Sequence, residues 1–228
     1  KIKTQIVKHL KINPLKLIAI PYGVDKNQFN LRVKGVMRDR LKIPKDRFVI
    51  YYSGMLYPKK GLEYAVEAMK YVKEKIDNFV FVIDGAEIFP GYIKKLKTIR
   101  DELELTDKVL FPGLAEEREK WYIDCDVFVL PSVDTEGLSL TCLESGGCGK
   151  PVVTTTILEE TGAVIRNKTA LIVPPRNPKA LAEAITKLIE DKPLREKLGK
   201  GNYEYSQKFD WEKTRQETEA VYRQLIGN

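Results

Sequence analysis

The 228-residue sequence predicts an α/β domain doubly wound around a mostly parallel sheet. One reason is a set of short, continuous apolar runs. Phe48–Ser53, Phe79–Ile83 and Val127–Leu130 read as strands covered on both faces, as strands of a parallel sheet are. A second is helical spacing between them, as in Leu62, Ala65, Val66, Met69 and Val72. The third is the order itself: strand and helix alternate, the pattern of right-handed crossovers.

Taken in order, Ile2, Ile6, Val7 and Leu10 share one face of a helix over 1–12, which Asn13-Pro14 ends. Leu17–Ile20 reads as a short strand, and 26–47 as polar and irregular with a helix around Val36–Leu41. The strand Phe48–Ser53 leads through Gly54-Met55-Leu56-Tyr57-Pro58-Lys59-Lys60-Gly61 into the helix at Leu62. Phe79–Ile83 ends in Asp84-Gly85, and a helix over 91–104 precedes the strand Val109–Phe111 and the turn Pro112-Gly113-Leu114. A helix over 116–124 carries Trp121 and Tyr122, which read as packing residues.

After Val127–Leu130, Pro131-Ser132 stops the strand and an acidic loop with Asp134 and Glu136 follows. Gly137 is expected to open the next helix, and Gly149-Lys150-Pro151 to end it before Val152-Val153. Leu171–Pro175 is a further strand with its exit. Asn177-Pro178 is a cap followed by proline at the first helical position, and Leu181, Ala184, Ile185, Leu188 and Ile189 form the stripe behind it. A helix over 193–207 follows, and Asp210 can cap a last one with Trp211, Thr214, Thr218, Val221, Tyr222 and Leu225 on one side. There is no internal repeat or low-complexity tract.

Composition excludes several classes of function. No apolar run approaches the ~18–20 residues of a membrane span, and no signal-peptide pattern is present. Cys125, Cys142 and Cys148 form no C-x-x-C pair and read as small buried residues of a reduced, cytoplasmic protein. His9 is the only histidine, so neither a histidine-based metal site nor a Ser-His-Asp triad can be built. The net charge of +7 is spread over scattered lysines, not gathered into a basic run with aromatics, which argues against nucleic acid. A nucleoside diphosphate or an anionic membrane surface fits the charge as well. A start at Lys1 rather than Met reads as a piece of a longer protein.

The chemistry concentrates beyond the strand Val127–Leu130. Ligands of open parallel sheets bind at the carboxyl ends of strands. A helix opened by Gly137 would offer the N–H groups of Leu138, Ser139 and Leu140 to an anion. Glu136 lies in the loop, and Glu144 about two turns into the helix on the face of Gly137, Leu140 and Thr141. Two carboxylates beside one anion site suit a ligand with both phosphates and hydroxyls.

The frame PSxxxEGxxxxxxE…GKPVV, with Glu136 and Glu144 in E-x7-E spacing, resembles the retaining nucleotide-sugar glycosyltransferases of family 4. The resemblance covers about residues 18–225 and implies the C-terminal, Rossmann-like half of a GT-B fold. It implies that Glu136 touches the donor sugar and Glu144 the ribose, and that Gly137, Leu138, Ser139 and Leu140 line the diphosphate. It further implies that Gly54 opens a phosphate turn in which Lys60 neutralises the leaving diphosphate, and that the backbone at Leu114 lies along the base. Lys60 and Glu136 would be the catalytic pair; no metal and no cofactor beyond the nucleoside-diphosphate sugar is implied. Read without the resemblance, Lys60 is one more solvated lysine and Leu114 an ordinary loop residue.

The segment Ile20-Pro21-Tyr22-Gly23-Val24-Asp25 resembles the family's interdomain connection. It implies that 1–20 end an N-terminal acceptor domain, 21–208 bind the donor, and 209–228 form a helix reaching back to that domain. The expected partners are therefore a nucleotide sugar, an acceptor (glycan, lipid or small molecule) and the N-terminal domain, with a peripheral membrane contact of the full-length protein left open.

This chain departs from the family in three places. Met55 stands where the family has a phosphate-binding Arg, Leu158-Glu159 and Gly162 replace a Gly-Gly and its Glu, and Ala170 replaces a Gly. These departures leave two rivals: a degenerate nucleotide- or partner-binding relative, and another GT-B enzyme such as a sugar-nucleotide epimerase.

Overall fold

In the computed structural model, which describes residues 2–227, the chain runs α1 (Ile2–Leu10), α2 (Met37–Arg40), β1 (Phe48–Ser53), α3 (Leu62–Lys73), β2 (Phe79–Asp84), α4 (Tyr92–Glu102), β3 (Val109–Gly113), α5 (Arg118–Tyr122), β4 (Val127–Leu130), α6 (Leu140–Gly147), β5 (Val152–Thr155), α7 (Thr156–Glu159), β6 (Ala170–Val173), α8 (Pro178–Glu190), α9 (Lys192–Ser206) and α10 (Trp211–Ile226). All six strands pair in parallel, in the order β3-β2-β1-β4-β5-β6. The expected doubly wound, Rossmann-like α/β fold is therefore present.

Every residue of β1, β2, β4 and β5 is buried, which explains the apolar runs that dominate them: neither face of these strands meets water. The crossovers β1–α3–β2 and β4–α6–β5 run outward in opposite directions, so their right-handed connections send the helices to opposite faces. One layer joins α3 to α4 and α8; the other joins α6 to α9 and α5. Between sheet and α5, Tyr122 sits edge-on to Tyr51 and Phe29, with Phe128 beside it, so Trp121 and Tyr122 are packing residues as expected. All three cysteines are buried and free, and burial pushes the Cys142 and Cys148 thiols up to about 12. They are inert at neutral pH.

The helix starts follow their caps. Asn177 accepts from the Ala180 amide with Pro178 at the first position, and Asp210 accepts from Glu212. Leu17–Ile20, in contrast, is no strand. It follows a short 3-10 turn at Pro14–Lys16 and, among the described residues, joins no strand of the sheet; an apolar run becomes a strand only when an edge accepts it. The span 154–166, where the chain departs from the family, carries the short helix α7.

Residues 21–25 lie against the start of α10. Val24 bridges to Asp210, the Thr214 hydroxyl donates to the Pro21 carbonyl, and Lys26 pairs with Asp210 at 2.7 Å. No residue of α10 is buried, and Leu10 of α1 is exposed. Of the stripe expected on α1, Ile6, Val7 and Leu10 can be followed; Lys1, Asn228 and the side chain of Ile2 lie outside the described residues. Among the described residues no helix is long and apolar enough to cross a membrane.

One contact closes the sheet where the strand order reverses. Gly61 has φ 65°, and a Cβ there would meet the Pro131 carbonyl oxygen at 2.3 Å and Val133 Cγ1 at 2.7 Å. Gly61→Ala should therefore cost about 1–3 kcal/mol for the left-handed backbone and more for the clash. Gly162→Ala is the control: its φ is also positive, at 78°, but nothing lies within 4 Å of the added Cβ. Urea unfolding of both variants should show the larger loss at Gly61, and equal losses would remove the role given to the close approach.

Candidate functional site

With the order 3-2-1-4-5-6, the crevice for a ligand opens between β1 and β4, where successive connections diverge. The turn after β1 is shaped by Pro58–Lys60 in a 3-10 helix, and Gly61 then caps α3. The Val133 amide donates to the Lys59 carbonyl at 3.0 Å, so the loop after β4 is tied to this turn. Lys60 consequently reaches Glu136: Nζ lies 2.7 Å from Oε1, and the side chains are only 13 % and 11 % exposed. The Ser132 hydroxyl donates to the same Oε1, also at 2.7 Å.

Lys60 is thus no freely solvated lysine. A cation just before a helix start opposes the macrodipole, and the Glu136 carboxylate offsets it. At the head of the turn, Gly54 has φ 152° and the Tyr52 hydroxyl donates to the Met55 carbonyl at 2.8 Å. Met55 itself is 52 % exposed.

The anion-facing helix begins later than the sequence suggested. Gly137 and Leu138 lie in the loop, Ser139 is the N-cap, and α6 starts at Leu140. Ser139 displaces Gly137 because its hydroxyl accepts from the Cys142 amide, at 3.4 Å, which glycine cannot do. The donors of the first turn are therefore Leu140 and Thr141, with Cys142 already engaged; the amides of Leu138 and Ser139 precede the helix. Gly137 cannot share a helical face with Glu144, but Leu140 and Thr141, four and three residues earlier, still do.

Glu144 is held in the second turn with its side chain 10 % exposed. The Tyr122 hydroxyl donates to Oε2 at 3.2 Å, and Arg118 Nη2 stands 3.7 Å from Oε1. Burial pushes the Glu144 carboxyl above the usual carboxylate range; the Arg118 charge and the Tyr122 bond pull it back only in part. For Arg118, desolvation opposes the charged form, yet the charge of Glu144, with smaller contributions from Tyr122 and Asp84, leaves its pKa raised.

Two groups at this edge were missed by reading the sequence. Arg118 sits in the acidic run Glu116-Glu117-Arg118-Glu119, where its one signal was opposite charge. Asp84 marked only the end of a strand; the structure buries it completely. Leu114, on the loop after β3, is 64 % exposed at the same edge.

Among the described residues no three His, Cys, Asp or Glu side chains gather as a metal site. A separate hollow of about 690 Å³, bounded in part by Lys26, Asn30, Arg32 and Tyr203, contains none of Lys60, Glu136 or Glu144. Its Lys26 is already paired with Asp210, so we place the site on the chemistry at the sheet edge and not in that hollow.

The sheet order and the cation–carboxylate pair at its reversal define a Rossmann-like domain with a polar crevice at the carboxyl edge. A family model described as "Glycosyl transferases group 1" matches residues 33–205, and the chain belongs to this family. It is 27 % identical over 217 residues to a D-inositol 3-phosphate glycosyltransferase of Xylanimonas cellulosilytica, covering 92 % of this chain and 51 % of the relative. It is 29 % identical to the uncharacterized glycosyltransferase MJ1178 of Methanocaldococcus jannaschii, covering 96 % and 62 %. The chain thus spans about half to three fifths of the length of these curated relatives.

Among solved structures, a glycosyltransferase from Rickettsia africae superposes with a TM-score of 0.91 at 20 % identity, covering all of this chain and 62 % of the other. Anabaena HepE in complex with UDP-glucose superposes at 0.85 with 22 % identity, covering 96 % and 61 %. At such identities these structures bear on the fold, which is that of one half of a GT-B glycosyltransferase.

The raised pKa of Glu144 has a consequence for stability. A carboxyl whose folded pKa lies above its unfolded value costs stability once pH exceeds the unfolded value, and the cost is fully present above the folded one. Glu144→Gln should therefore raise the thermal midpoint at pH 7–8, by about 2–4 °C if the relief is ~1 kcal/mol. The gain should vanish at pH 4, where the parent carboxyl is itself protonated. Thermal scans of both proteins at the two pH values check this; a gain that persists at pH 4 would assign the effect to packing.

Proposed function

We propose that this chain is the donor-binding half of a retaining glycosyltransferase of family 4, which moves a sugar from a nucleoside diphosphate to an acceptor held by an N-terminal half. The observation that carries the reading is the Lys60–Glu136 pair at the β1/β4 crevice, beside the start of α6 and Glu144. The names of the relatives support it, as does the binding of UDP and UDP-glucose by the Anabaena protein of the same fold.

On this reading the diphosphate takes Lys60 from Glu136 and accepts from the amides of Leu140 and Thr141, with those of Gly137, Leu138 and Ser139 along the loop. Glu136, released, turns to the sugar hydroxyls. Glu144 accepts from the ribose, Gly54 lets the backbone approach the phosphates, and Leu114 lies along the base. The bond between the anomeric carbon and the phosphate oxygen breaks with its electron pair going to the diphosphate, where Lys60 and the helix amides stabilise the growing charge. The anomeric centre passes through an oxocarbenium-like state and bonds to the acceptor oxygen on the face the diphosphate leaves, and the acceptor's hydroxyl proton passes to the departing diphosphate. The exposed Trp211, Tyr222 and Leu225 of α10 then belong against the acceptor half.

Titration calorimetry with UDP, GDP and ADP should find one nucleotide site per chain; no heat and no thermal shift at millimolar nucleotide would end this reading. Glu144→Ala should weaken nucleoside diphosphate and sugar nucleotide alike. Glu136→Ala should weaken only the sugar nucleotide, because loss of its carboxylate frees Lys60 for phosphate. Met55→Arg, at the mouth of the turn, should tighten diphosphate binding by about 1.5–3 kcal/mol, the range of a hydrogen bond to a charged group. An Arg variant that folds and binds no tighter would mean that position 55 does not face the phosphates.

A further inference from the structure

Asp84 ends β2 wholly buried, and two segments send three donors to its carboxylate. Oδ2 accepts from the Tyr51 hydroxyl at 2.7 Å and the Ser53 hydroxyl at 2.8 Å, both on β1. Oδ1 accepts from the Ala115 amide at 2.7 Å, on the loop after β3. Backbone bonds run the same way: Gly54 N–H donates to the Asp84 carbonyl and Gly85 N–H to the Gly113 carbonyl, each at 3.1 Å. A Cβ on Gly85 would lie 1.8 Å from the Gly54 carbonyl oxygen, so the turns after β1 and β2 touch backbone to backbone.

A buried carboxylate is an expensive way to close a strand end. This one collects donors that no apolar side chain could satisfy. Among the described residues, the bond from Ala115 to Asp84 is also the one hydrogen bond that ties 114–116 to the sheet. That segment carries exposed Leu114 and continues into Arg118, which stands beside Glu144.

We propose that Asp84 is a positioning residue of the donor site: it fixes how far the 113–118 wall stands from the phosphate turn, and so determines how the nucleobase is held without touching it. The inference rests on the donor-site reading above, in which Leu114 lies along the base.

The experiment compares the parent with Asp84→Ala and Asp84→Asn. Calorimetry reads UDP, GDP and ADP; ligand-observed NMR reads ribose 5-phosphate, which has ribose and phosphate but no base. Asp84→Ala should lower affinity for the best-bound nucleotide about tenfold, since a wall displaced by an ångström or so forfeits its contacts, while ribose 5-phosphate binds within about twofold of the parent. Asn keeps the shape but turns charge-assisted bonds into weaker neutral ones, so it should lose several-fold in nucleotide affinity and nothing for ribose 5-phosphate. If the Ala variant does not fold, the Asn variant decides.

Variants that bind nucleotides as the parent does, or that lose ribose 5-phosphate in equal proportion, would overturn the role of Asp84. A parent that binds no nucleotide would instead strike the donor-site reading itself, so the two failures are distinguishable.

Discussion

At the point where the strand order reverses, the backbone of Gly61 lies against the carbonyl of Pro131, too close for any side chain. The rest of the site depends on that approach. It brings the turn after β1 within reach of the loop after β4, lets the Val133 amide bond to the Lys59 carbonyl, and sets Lys60 opposite Glu136. Parallel strands alone would leave the turns side by side and unconnected. A residue without a side chain, in a left-handed conformation open to few others, joins them.

The crevice is electrically balanced by its own side chains. Lys60 is matched by Glu136, and Glu144 is answered, at longer range, by Arg118. The two pairs differ in quality. The first is short and shares a hydroxyl from Ser132; the second stands at 3.7 Å, and burial dominates the Glu144 carboxyl. A ligand with a diphosphate at one end and ribose hydroxyls at the other would exchange partners with the first pair and supply the donors that the second lacks. The net charge of +7 therefore says little about this site, whose cations are individually engaged.

The chain's relation to its family follows from the same architecture. It matches the group 1 glycosyl transferases over 33–205, and it spans about half to three fifths of the curated relatives. The segments outside the matched span behave differently from the core. α10 buries no residue, and 21–25 are held to its first turn by Lys26, Asp210 and Thr214. Those two segments are joined to each other at the margin of the domain.

Much of this was legible in the residues, for local reasons. β4 appeared at Val127–Leu130 because a strand covered on both faces must be apolar throughout, and α8 and α10 began at Asn177 and Asp210 because a cap is chosen by its own side chain. Glu136 and Glu144 could be named from the frame around them, and Lys60 from the turn after β1 that resembles the family's. Where two local signals competed, the sequence misled: Gly137 and Ser139 could each open α6, and only the hydroxyl of Ser139 could hold the Cys142 amide. Leu17–Ile20 looked like a strand because apolar content is local, whereas pairing is not. Asp84, Arg118 and the Lys60–Glu136 contact belong wholly to the tertiary structure. Their partners lie 26 to 76 residues away in the chain (144 − 118 = 26), for Arg118 with Glu144, for Asp84 with Tyr51, Ser53 and Ala115, and for Lys60 with Glu136. Only the folding of the sheet, with β1 between β2 and β4, makes them neighbours.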